Sequence, residues 1–117
     1  MTFVTLSSAA LAATEFHEIE DLPPYAELIP GSVSQIALFA GPAADRGAVA
    51  SFKIASGGFK YTNIEAAESG FLVEGSAVVT DTDGETVLRA GDGYYFPVGW
   101  SGTFVAREPV TKFAYLL

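Results

Sequence analysis

Cysteine is missing from this 117-residue chain, and histidine and methionine each occur once. Without cysteine there is no disulfide framework, no cysteine-held zinc or iron–sulfur cluster and no thiol nucleophile. Basic residues are scarce, with six Lys and Arg against fourteen Asp and Glu for a formal charge of −8. They stand singly, as Arg46, Lys53, Lys60, Arg89, Arg107 and Lys112. Nucleic acid and anionic lipid surfaces are bound through clustered cations, so neither is an expected partner. The negative charge reads as solubility.

Long apolar runs are missing too. Nothing approaches the roughly 20 apolar residues that a membrane-spanning helix requires. The small, mildly apolar stretch at residues 6–13 is mostly alanine, and no Lys or Arg precedes Arg46. A secretory signal has a basic start and a longer apolar stretch, so a cytoplasmic protein is expected.

What is present is a β pattern. Residues 1–30 read as an N-terminal arm, acidic around Glu15, Glu18, Glu20 and Asp21 and stopped by Pro23-Pro24. From residue 31 to 117 the chain reads as one β domain. Residues 33–39 form an extended run closed by Gly41-Pro42. Residues 49–54 alternate, with Ala50, Phe52 and Ile54 on one face. Further runs fall at 59–64, 71–73, 77–80, 86–88, 94–96, 102–106 and 111–116, with an Asp83-Gly84 turn between two of them. Roughly eight to ten short strands and no helical period predict an all-β sandwich or barrel.

Two glycine-anchored segments carry a resemblance. In the first, Glu68 is followed by six residues and then Gly75 within Leu72-Val73-Glu74-Gly75. The second reads Gly91-Asp92, four residues, then Pro97-Val98-Gly99. With the hairpin between them, these segments resemble the two halves of a cupin motif. Over about residues 45–117 the chain is similar to the small single-domain cupins grouped with (S)-ureidoglycine aminohydrolase and the ethanolamine-utilisation cupins. The resemblance implies an RmlC-like jelly-roll barrel, a double-stranded β-helix, and commonly a homodimer.

In metal-binding cupins, histidines and a glutamate converge inside the barrel. The resemblance puts that glutamate at Glu68 and the second-motif histidine at Gly102, which has no side chain. The histidine pair of the first motif falls within residues 61–64, which are Tyr, Thr, Asn and Ile. The sole histidine, His17, lies in the arm and reads as a surface or interface side chain. A divalent transition metal wants several strong donors at once, so no metal and no cofactor is expected.

An inward Glu68 needs a partner, because an unpaired buried carboxylate is costly. Lys112 or Tyr61 could supply it. The candidate pocket residues are therefore Glu68, Tyr61, Asn63, Tyr94, Trp100 and Lys112, with aromatics at such positions more often core than lining. No residue is assigned a catalytic role, and whether the protein is an enzyme stays open. Three functions remain. The first is a metal-free cupin that binds a small molecule or serves as an accessory domain. The second is a hydrolase resembling ureidoglycine aminohydrolase. The third is a structural module that dimerises.

Overall fold

The structure, a computed structural model, describes residues 14–40 and 46–117. The alanine-rich stretch at 6–13 and the Gly41-Pro42 strand end lie outside the described residues. Nine strands and no helix occur among those residues, so they contain no helix long and apolar enough to cross a membrane.

Two long strands form the spine of a single curled antiparallel sheet. These are β6 (Glu68–Asp81) and β9 (Gly102–Leu116), paired along their length. On its other side β9 first meets β5 (Gly58–Tyr61), over Gly102 to Val105, and then β4 (Val49–Ser56), over Val110 to Tyr115. Likewise β6 first pairs with β8 (Gly93–Phe96) and later with β7 (Gly84–Arg89). Beyond β4 lies β3 (Val33–Ala40).

The sequence pattern divides both long strands in two, at Glu74-Gly75 and between residues 106 and 111. The chain does not break there; it bends. The register shift at Leu72/Glu74 puts an extra residue in β6, and those at Glu74/Ser76 and Ser76/Ala77 put extra residues in β9; bulges bend a strand without ending it. Pro109 sits opposite this corner, where β9 has left β5 and not yet reached β4. A proline costs no ladder hydrogen bond at such a handover. The β6–β7 hairpin turns on Thr82-Asp83, one residue earlier than the Asp-Gly signal implies. Asp81 and Gly84 are paired, and the Asp83 amide donates to Asp81 Oδ1 at 2.8 Å.

The described part of the N-terminal arm lies against the barrel. β1 (His17–Glu18) pairs with β3 and β2 (Ala26–Leu28) pairs with β5. Ile19, Leu22, Tyr25, Ala26 and Leu28 pack on a core that includes Ile54, Phe59, Ile64, Leu72, Phe96, Phe104 and Val110. Inward positions on β9 follow the two-residue period of a strand: Val110, Lys112 and Ala114 are all buried. A lysine therefore occupies a core position.

Candidate functional site

Lys112 is 1% exposed. Its register partners are Phe52 on β4 and Leu72 on β6, so it projects from the middle of the sheet. The ammonium lies 4.4 Å from the centroid of Phe104 and 5.1 to 5.5 Å from those of Tyr94, Phe52 and Phe59. Aromatic faces attract a cation, but they do not replace its hydration. The counter-charge is Glu68, at the start of β6, whose Oε2 accepts from Lys112 Nζ at 3.3 Å.

Two tyrosines complete the network. Tyr94 donates to Glu68 Oε2 at 2.6 Å and accepts from Lys112 Nζ at 2.7 Å, bridging the charges. Tyr61 donates to Glu68 Oε1 at 3.3 Å. Burial, then the charge of Glu68, holds both phenols well above the ordinary tyrosine value. Burial pushes the Lys112 ammonium down, and Glu68 only partly offsets this. Both partners named for Glu68 in the sequence thus meet it, and Tyr94 joins them.

Trp100 and Asn63 take other places. The Trp100 ring stacks flat on Phe96, at 4.1 Å between centroids, and its Nε1 donates to Asp81 Oδ2 at 2.9 Å. It meets the edge of the network through the Tyr61 ring, at 5.8 Å. Asn63 is exposed in the turn after β5, with φ of 47°, and its amide donates to Ser101 Oγ. His17 is exposed on β1.

A narrow cavity of about 50 Å³ ends on Glu68 and Tyr61. Its walls are mainly apolar, among them Ile36, Ala48, Ala50, Phe52, Phe59 and Ala114. Five residues of the N-terminal segment partly roof it: Asp21, Leu22, Pro23, Tyr25 and Ala26. That roof is held by backbone bonds, from Thr62 N–H to the Tyr25 carbonyl at 2.8 Å and from Ile29 N–H to the Gly58 carbonyl at 2.9 Å. Tyr25 is a lining residue the sequence did not single out. Its phenol is raised by burial and by the charges of Glu68 and Glu65. Only docking of the segment on the barrel brings it there, so no local pattern marks it.

The metal site that the cupin motif implies does not fit these residues. Glu68 Oε2 is committed to an ammonium and a phenol. A Cβ at Gly102 would run into the Trp100 ring and the Thr80 carbonyl, so indole fills the space of the second-motif histidine. Among the described residues, no three His, Cys, Asp or Glu side chains come together.

A curled two-strand spine, the N-terminal roof and a glycine-cornered barrel around an interior glutamate define a jelly-roll barrel of the cupin class. Residues 43–114 match the EutQ-like cupin domain, and the chain belongs to that family. Solved structures agree on the fold. KdgF from Halomonas sp. superposes with a TM-score of 0.64 at 19% identity, covering 87% of this chain and 86% of that one. EutQ from Clostridium difficile gives 0.58 at 15% identity, covering 75% of this chain. This chain spans 64% of that EutQ chain. A DUF861 family protein from Thermotoga maritima gives 0.52 at 28% identity, covering 57% of this chain and 76% of that one. Comparison with curated proteins returns no match.

Proposed function

We propose that this protein is a cupin that works without a metal ion, binding a small molecule in its barrel or serving as an accessory domain. The observation that carries this reading is the partnership of Glu68 and Lys112 at 3.3 Å beside a partly open, mainly apolar cavity. The carboxylate that the motif offers to a metal is matched by a tethered ammonium, and an apolar chamber remains above it. Small-molecule sites have this character, concave and largely apolar with a few placed polar groups. Two measurements test it. Elemental analysis of protein purified without chelator should find no stoichiometric transition metal, and finding one would revive the hydrolase reading. A thermal-shift screen of small acids, ureides and sugars should raise the melting temperature for at least one compound class, because ligand binding stabilises by mass action.

A homodimer is compatible with this function. Its support is the outward face of the sheet, where Phe71, Tyr95 and Tyr115 are each more than two fifths exposed and Phe71 and Phe113 are register partners. Sedimentation at micromolar protein tests it; a monomer there would remove the proposal.

A further inference from the structure

The polar end of the cavity has a definite chemical character. Among the described residues Glu68 Oε1 accepts the long 3.3 Å bond from Tyr61, so it retains acceptor capacity. The phenols of Tyr61 and Tyr25 also line the space. Lys112, by contrast, does not line it; its ammonium lies on the Oε2 side of the carboxylate. A ligand therefore meets Glu68 and two tyrosines, and among the described residues no Lys or Arg lines the space, although Arg46 lies near enough to act on Tyr25.

Charge balance narrows the choice further. Glu68 and Lys112 already compensate each other, so the floor of the chamber is neutral as a unit. A ligand anion would face a carboxylate at short range. A ligand cation would leave one positive charge uncompensated among Phe52, Phe59, Ala50 and Ala114, and an unpaired charge in such surroundings is costly. Asp21, at the roof, is exposed, so water screens it.

Size sets the last limit. The space open to the centre of a water-sized molecule is only about 50 Å³, which limits the chamber to a small ligand. We infer that the cavity selects a small uncharged molecule, with an N–H or O–H donor directed at Glu68 Oε1 and an apolar body against Ala48, Ala50 and Ala114. This rests on the reading of the barrel as a binding chamber and specifies its ligand class as small alcohols and primary amides.

The test uses probes matched in shape and differing in charge. Propan-2-ol is compared with isopropylammonium, and acetamide with acetate, by two-dimensional NMR titration of the full chain at neutral pH. Propan-2-ol and acetamide are expected to give saturable shifts at the amides of Ala48, Ala50, Tyr61 and Ala114. The charged analogues should bind at least about tenfold more weakly, a difference of about 1.4 kcal/mol. In Ala50→Leu, which fills the chamber, the shifts should vanish while the spectrum stays dispersed; Ala48→Val serves the same purpose if Ala50→Leu does not fold. Equal or tighter binding of acetate or isopropylammonium at these amides overturns the ligand class but leaves a binding chamber. Shifts that persist in the filled variant overturn the site. Failure of all four probes, with no stabilising compound in the thermal-shift screen, overturns both this inference and the binding function beneath it.

Discussion

Gly70 and Tyr94 are register partners across β6 and β8, and the Tyr94 ring lies over Gly70 where a Cβ would stand. The absence of a side chain on one strand lets the phenol of the other reach inward to Glu68 and Lys112. The charged network thus depends on a position that carries no charge.

Gly70→Ala is expected to displace that ring and destabilise the protein by about 1–3 kcal/mol, the usual cost of overpacking. Urea denaturation measures it. Gly93→Ala is the control, because a Cβ there meets only the Gly70 carbonyl, at 3.4 Å. Equal costs for the two variants would show that the space over Gly70 is not what matters.

Glu68→Gln leaves Lys112 buried without its counter-charge and should cost about 3–5 kcal/mol. Removing both charges with packed hydrophobic replacements, Glu68→Met with Lys112→Met, should recover most of that loss, since apolar replacement of a buried pair is often neutral or better. The midpoints of urea unfolding for the singles and the double variant give the coupling directly. Additive losses would mean that the two side chains do not act as a pair.

Alkaline pH should weaken the fold through Tyr61 and Tyr94. Their folded values lie well above the ordinary 10.0, so the unfolded chain releases these protons first and stability falls as pH rises past about 10. Lys112 has the opposite sign. Its folded value lies below the ordinary 10.5, so its contribution rises with pH up to that value. Tyr94→Phe should flatten the alkaline fall, as read by unfolding free energy against pH; a slope unchanged from the parent would refute the assignment.

Asp81 is held below the ordinary carboxylate value first by the Trp100 indole N–H and then by the Asp83 amide. Whatever this contributes to stability is present above the ordinary 3.8 and is lost as pH falls through the depressed folded value. Trp100→Phe should move the Asp81 titration upward in a carboxyl-detected NMR experiment. No movement would mean that the indole bond does not persist in solution.

Much of the architecture was legible because strands carry a local period and turns carry local chemistry. The runs at 49–54 and 94–96 fall within β4 and β8. The misreadings of β6 and β9 share one cause: Gly75 and Pro109 punctuate a sequence in the same way whether the chain ends a strand or bends it. Glu68 could be found because the motif marks it, and Lys112 because a lone cation on an alternating strand is conspicuous. Tyr25 was hidden because its position depends on residues 21–26 crossing to a barrel formed later in the chain. Asn63 points away because its left-handed backbone sits in a turn, a conformation that Asn tolerates better than most residues.

Five of the fifteen residues around the cavity come from positions 21–26, and β1 and β2 tie this stretch to the sheet through only two and three register pairs. A fragment trimmed to begin at residue 31 would keep the interior glutamate, its lysine and the two phenols bonded to that glutamate. It would also remove a third of the residues around the cavity, leaving Glu68 and Tyr61 more open to solvent.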